Sequence, residues 1–328
     1  MAGRSEFAWK ERSVMVTGGT GSFGNKFVEI MLRKYHPARL VIFSRDELKQ
    51  SEMMTRFSDP SLRFFVGDVR DCERLERAMH GVDIVFHAAA LKQIPSCEYN
   101  PFEAIQTNVM GTKNVIDAAI DQGVKRVVAI STDKAVNPIN LYGATKLCAE
   151  KLTVQGNAYG HARGTLLSAV RYGNVIGSRG SVIPLFREQR ASGTVTVTDP
   201  AMTRFWLRLE QGVEFVIGCA EGMQGGEIFV PKIPSMRIVD LVEAVAPGCR
   251  VEVIGIRPGE KLHEILISED ESRQAYEFDD RFILEPLFPS WTLTPPEGGK
   301  RPPPGYRYSS DTNQWWLSKA EMRGLTDD

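Results

Sequence analysis

A four-residue apolar run at 14–17 leads directly into Gly18-Gly19-Thr20-Gly21-Ser22-Phe23-Gly24 and then into a helical pattern. The spacing of Gly18, Gly21 and Gly24 allows a tight turn, close approach of the backbone to a pyrophosphate, and close packing of the helix on its strand. A simple glycine turn does not require that order of strand, glycines and helix. The order predicts the first βαβ unit of a dinucleotide-binding sheet, with Thr20, Ser22 and Phe23 also lying against the cofactor.

The rest of the first half repeats the theme. Apolar runs at 40–44, 63–67, 84–88, 127–131 and 167–171 alternate with helical stretches at 25–34, 71–79, 102–122 and 142–156. Such alternation predicts an α/β fold, a doubly wound parallel sheet of Rossmann-like type, whose ligands bind beyond the carboxyl ends of the strands. After about residue 174 the pattern turns irregular, with helical or strand signals at 207–220, 227–230, 239–245 and 250–254. The expected division is a cofactor-binding domain over 1–176, with 207–232 returning to it. Residues 177–206 and 233–328 form a smaller C-terminal substrate-binding lobe. The Pro- and Gly-rich stretch 289–308 reads as a loop, and Ser318 with Glu321 as the capping box of a last short helix.

At 328 residues the chain exceeds what one core usually supports. Forty basic residues against 41 acidic ones, with no basic stripe, speak against a nucleic-acid partner. The five cysteines are scattered, with no C-x-x-C pair and no histidine cluster, so neither a disulfide framework nor a metal site is expected. A reduced, cytoplasmic setting follows. No run approaches the roughly 18 apolar residues of a membrane span, and no membrane association is expected.

Two further segments carry chemistry. At the end of the second run, Ser44, Arg45 and Lys49 suit a 2′-phosphate and favour NADP, although Asp46 would equally serve the ribose of NAD. Asp68-Val69 is a candidate for the adenine edge, with Asp71 capping the helix that follows. Ala88 lets the cofactor approach the backbone, while the preceding His87 reads as a packed, structural histidine. The second segment is 131–146, STDKAVNPINLYGATK. Tyr142 and Lys146 stand four apart on one helical face, where an ammonium would lower the phenol's pKa and let it remove a hydroxyl proton. Asp133 and Lys134, directly after a strand, add an acid and an amine.

With these motifs in this order, the chain resembles an extended short-chain dehydrogenase/reductase. TGGTGSFG, GDVRD, HAAALKQIP, STDKAVNPINLYGATK, RYGNVIGSRGSVIP, MTRFW and GIRPGEKLHE narrow the resemblance to the inverting UDP-N-acetylglucosamine 4,6-dehydratases of pseudaminic acid biosynthesis. It implies a homo-oligomer acting on UDP-N-acetylglucosamine with tightly bound NADP. In the implied reaction Tyr142 deprotonates the C4 hydroxyl, which Thr132 holds, and Asp133 protonates the leaving C6 hydroxyl. Lys134, as a neutral amine, removes the C5 proton. Lys92 and Asn174 would meet phosphate or sugar, and Arg179, Ser181 and Val182 lie where the family closes over the nucleotide. Arg204 and Arg257 are diphosphate candidates, and Glu260 would accept from the uridine ribose. Retaining dehydratases and 4-epimerases share the glycines and the tyrosine–lysine pair; the retaining dehydratases carry Asp-Glu where this chain has Asp-Lys. A non-catalytic NADP-binding sensor would need neither the tyrosine–lysine pair nor the Asp-Lys step.

Overall fold

A computed structural model describes residues 7–177 and 182–326. Six strands arise from the apolar runs: β1 (Ser13–Thr17), β2 (Arg39–Ser44), β3 (Leu62–Val66), β4 (Ile84–His87), β5 (Arg126–Thr132) and β6 (Leu166–Tyr172). Ten more follow: β7 (Asn174–Ile176), β8 (Thr194–Val197), β9 (Thr203–Arg208), β10 (Ile228–Pro231), β11 (Ser235–Arg237), β12 (Arg250–Val253), β13 (Ile265–Ile267), β14 (Ala275–Glu277), β15 (Arg281–Leu284) and β16 (Tyr308–Ser309). Nine of them form one sheet in the order β14-β15-β10-β6-β5-β4-β1-β2-β3. The pairings from β3 across to β10 are parallel, and only the β10–β15 and β15–β14 pairings are antiparallel. The chain order reverses between β1 and β4, which opens a ligand crevice beyond their carboxyl ends.

Successive strand residues face opposite sides of the sheet. Val14 and Val16 pack with Phe27, Phe86 and Ile217 on one face, while Met15 packs with Val41, Val85, Ala118 and Leu167 on the other. Both faces are thus covered, which explains why the strands read as continuous apolar runs. A third cluster, with Phe186, Val195, Trp206, Met236 and Leu241, gives the smaller lobe its own core.

Three features depart from the sequence reading. The first helix, Ser22–Ile30, starts three residues earlier and widens at its end into a π-turn at Met31–Tyr35. The expected helix over 102–122 is Pro101–Ile105 and Gly111–Asp121 joined by a π-turn at Gln106–Met110. Residues 275–284, assigned to the smaller lobe, instead supply β14 and β15 to the large sheet, because β10 leaves an edge for β15 to pair with. The final helix, Lys319–Thr326, has its capping box: Ser318 N donates to Glu321 Oε2 at 2.8 Å and Glu321 N to Ser318 Oγ at 3.2 Å.

Candidate active site

The glycine loop closes one end of a cavity of about 960 Å³. Gly18 has φ of +66°, and a Cβ there would sit 2.8 Å from the backbone of Ala89. A Cβ on Gly24 would lie 2.1 Å from the Gly19 carbonyl oxygen, so only glycine lets helix Ser22–Ile30 pack this tightly on its loop. Gly21 occupies the N-cap and brings no capping side chain, and with Ser22 and Phe23 it turns the positive end of the helix toward the cavity. This cradle fits a dinucleotide pyrophosphate.

Around the far ribose position, the buried Ser44 hydroxyl is hydrogen-bonded to Thr20 Oγ1 at 2.7 Å and pins β2 to the glycine loop. Asp46 caps helix Glu47–Arg56 by accepting from Lys49 N at 3.0 Å, and its carboxylate also pairs with the Lys49 ammonium. Arg45 stands half-exposed at the cavity wall, 3.4 Å from Asp68. Desolvation would raise Asp68, but the Arg70 hydrogen bonds and the charges of Arg70 and Arg45 outweigh it and hold the carboxyl below its ordinary value. Asp71 caps the helix that follows, accepting from Arg74 N at 2.9 Å. Val69 and Ala88 also line the cavity.

His87 is structural. Its Nδ1 is 2.7 Å from Thr17 Oγ1 and its Nε2 3.0 Å from Thr112 Oγ1, and burial followed by the Lys146 charge pulls its pKa to about 3. Asn108, in the π-turn, brackets Leu91 with two 2.8 Å bonds and donates to Thr145 Oγ1 at 3.0 Å. It thereby ties the loop after β4 to the helix Leu141–Gln155.

That helix and the carboxyl end of β5 carry the reactive groups. Thr132 caps a short turn, Asp133–Ala135, and donates to Asp133 Oδ1 at 2.9 Å. Asn140 caps the helix, accepting from Gly143 N at 2.7 Å, and donates to the Gly259 carbonyl at 2.8 Å. A Cβ on Gly143 would lie 2.3 Å from the Lys134 carbonyl, so glycine is what allows the helix to press against the turn. Thr132, Asp133, Lys134, Tyr142 and Lys146 all line the large cavity.

Their charge states differ from those expected. Lys146 donates to the Ile130 carbonyl at 2.6 Å, and burial draws its pKa to about 8 against the opposing pull of Glu150. The Tyr142 phenol is hydrogen-bonded to Thr132, and burial pushes it up to about 12. In this state the phenol is therefore raised, not lowered: desolvation outweighs every nearby cation. Lys134 was expected as a neutral amine. Burial does lower it, but Asp133 at 3.1 Å and Glu264 at 2.7 Å together push it above its ordinary value. Asp133 is raised, by burial first and then by the Glu264 charge, although Lys134 opposes both.

A second cavity of about 580 Å³ adjoins the first, and Lys92, Lys134, Asn174 and Val175 line both. Val182, Arg204, Arg257 and Glu260 line the second. Arg204, expected as a diphosphate ligand, is buried and turned onto protein. It donates to the Thr203 and Leu262 carbonyls at 2.8 and 3.0 Å and lies 3.6 Å from both Glu260 and Glu264. Arg179 and Ser181 fall outside the described residues. Glu264 is the charged group that sequence reasoning missed. It stands in the same GEKLHE stretch as Glu260, but nothing in the spacing marks it as buried beside Lys134.

Comparison with known proteins places these features. A family model described as polysaccharide biosynthesis protein matches residues 14–286. The chain is 49% identical over 323 residues to a Campylobacter jejuni protein named UDP-N-acetylglucosamine 4,6-dehydratase (inverting), covering 96% of this chain and 97% of that one. It is also 45% identical over 284 residues to a Rickettsia canadensis protein named UDP-glucose 4-epimerase, covering 84% and 83%. Among solved structures, Pen from Bacillus thuringiensis superposes with a TM-score of 0.88 at 40% identity, covering 97% and 99%.

Proposed function

The chain belongs to the polysaccharide biosynthesis protein family, and on that footing we propose that it is an NADP-dependent lyase, a UDP-N-acetylglucosamine 4,6-dehydratase that inverts C5. The product is UDP-2-acetamido-2,6-dideoxy-β-L-arabino-hex-4-ulose. One observation carries the reading: Asp133 and Lys134 open onto the same cavity as Tyr142 and Lys146. A bare oxidation and reduction at C4 needs the tyrosine and its lysine. An added acid and amine suit loss of water across C5 and C6.

The glycine loop would hold the pyrophosphate, and Arg45 with Lys49 the 2′-phosphate. Asp46 favours NADP over NAD, since its carboxylate already serves as helix cap and partner of Lys49. Held there, the nicotinamide would supply a hydride acceptor for oxidation at C4 and a hydride donor for reduction at C6. Thr132 and Tyr142 hold the C4 hydroxyl, and Tyr142 removes its proton. With the phenol held near 12 by burial, that step depends on the positive charge the bound cofactor brings and on Lys146. Asp133, raised by its burial, is the group that would give a proton to the C6 hydroxyl as water leaves. Lys134 takes the C5 proton, and reprotonation from the opposite face inverts that centre. Asn174 and Arg257 would meet the diphosphate and Glu260 the ribose, a reading supported by all three lining the second cavity.

Incubation with UDP-N-acetylglucosamine in D2O tests this. The expected product has lost one water, carries deuterium at C5 and has the L configuration by NMR. A D configuration at C5 would make it a retaining dehydratase. The rickettsial relative favours a second reading, a 4-epimerase, which would give a C4 epimer of unchanged mass. No product at all would leave a cofactor-binding sensor.

A further inference from the structure

Glu264 has no role in the chemistry so far, yet it is the most deeply buried acid facing Lys134. Its side chain is 1% exposed, and Oε1 lies 2.7 Å from Lys134 Nζ and 3.6 Å from Arg204 Nε. Its backbone is fixed on both sides. Glu264 N donates to Ser310 Oγ at 2.9 Å, and its carbonyl accepts from Ser310 N at 2.8 Å and Ser309 Oγ at 3.2 Å. Among the described residues neither carboxylate oxygen makes a hydrogen bond of good geometry, and Oε1 is held to Lys134 by the ion contact alone. A sealed carboxylate is costly unless paired, so the position is held by its cations.

We propose that Glu264 is the counter-ion and proton acceptor of Lys134. At rest it fixes the ammonium at the junction of the two cavities. In the loaded site one proton crosses the contact, so that Lys134-NH3+ and Glu264-COO− become Lys134-NH2 and Glu264-COOH. The free amine then takes the C5 proton. The pairing stands on geometry alone, whereas the acceptor step rests on the dehydratase reading.

Five groups face Lys134: Asp133 from its own turn, Tyr142 from the helix, Arg204 from β9, and Lys261 and Glu264 from the segment before β13. Asp133 is the other carboxyl within reach, but burial raises it, whereas at Glu264 the charges of Lys134 and Arg204 outweigh burial and hold the carboxyl below its ordinary value, so Glu264 is the ionised partner of the ammonium at rest. Lys134 retains 17% of its side-chain exposure. Substrate filling both cavities would remove the remaining water, and desolvation penalises both ions at once while sparing the neutral pair.

The test uses Glu264→Gln and Glu264→Asp in the full chain. By NMR of labelled lysine, with Lys134→Met for assignment, wild-type Lys134 stays charged beyond its ordinary range. In Glu264→Gln its midpoint should fall by at least about one pH unit. With UDP-N-acetylglucosamine in D2O, Glu264→Gln should still oxidise C4 but lose at least ~100-fold in C5 exchange, and Glu264→Asp should recover part of it. An unchanged Lys134 midpoint overturns the pairing. A lowered midpoint with undiminished C5 exchange overturns the acceptor role. If wild type shows no C5 exchange, the dehydratase reading fails and takes the acceptor role with it, while the titration still judges the pairing.

Discussion

Replacing Glu150 and Arg171 by methionine, singly and together, tests the buried network behind the site. Arg171 lies in β6 with no exposed side-chain surface. Its Nε and Nη2 donate to Glu150 at 3.1 and 2.5 Å, its Nη1 and Nη2 to Glu271 at 3.1 and 2.9 Å, and Nη1 also to the Leu266 carbonyl at 2.8 Å. Glu150 stands one turn beyond Lys146 and also accepts from Ser131 Oγ at 2.8 Å. Arg171 thus fastens the helix bearing Tyr142 and Lys146 to the segment bearing Glu264. Removing one partner of a buried pair costs about 3–5 kcal/mol, because the other charge is left uncompensated. Glu150→Met should fall near the low end, since Arg171 keeps Glu271 and a carbonyl. Arg171→Met should fall near the high end, since Glu150 keeps only a hydroxyl. Independent losses would total roughly 8 kcal/mol, whereas the double variant should lose no more than about 5, a coupling of ~3 kcal/mol. Urea unfolding of the four proteins measures this directly. A double variant whose loss equals the sum of the singles within ~0.5 kcal/mol would refute the charge argument.

Asp133→Asn should leave C4 oxidation intact and slow loss of water by ~100-fold or more, read as accumulated reduced cofactor in single-turnover absorbance. Gly143→Ala should cut turnover at least tenfold through misplacement of the helix against the Lys134 turn, a loss that pre-steady-state kinetics would locate at C4 oxidation. Lys146 in the folded chain sits near 8, below its ordinary 10.5, so between those values the unfolded chain binds more protons. Stability should therefore rise by up to ~3 kcal/mol as the pH climbs from about 8 to 10.5, and Lys146→Met should abolish that rise in unfolding midpoints.

The strands were legible because both faces of the sheet are covered, so six runs read within about one residue of β1 to β6. Helix Glu47–Arg56 gave no comparable signal: only Gln50 and Met53 are buried along its ten residues. β14 and β15 escaped because they are buried at too few positions, Ala275 in the first and Phe282 and Leu284 in the second, to make an apolar run. Asp46 was ambiguous as a letter, since a ribose ligand and a helix cap are the same residue type, and the structure shows the cap. Arg204 is a related case. A guanidinium suits phosphate, but a sequence cannot say that its Nη1 already donates to two carbonyls.

The protonation states show the deeper limit. Spacing alone brings Tyr142 and Lys146 to one face, and chain order puts Asp133 and Lys134 beside them. It leaves out the depth at which they lie, and depth decides the sign of each shift. Burial raises Tyr142 and Asp133 and brings Lys146 toward neutrality, while Asp133 and Glu264, the latter 130 residues beyond Lys134, reverse that trend for one amine. On the proposed reaction, Tyr142 and Lys134 would both start out holding the proton that each must shed, so chemistry at C4 or C5 would wait until cofactor and substrate change the field around those two groups.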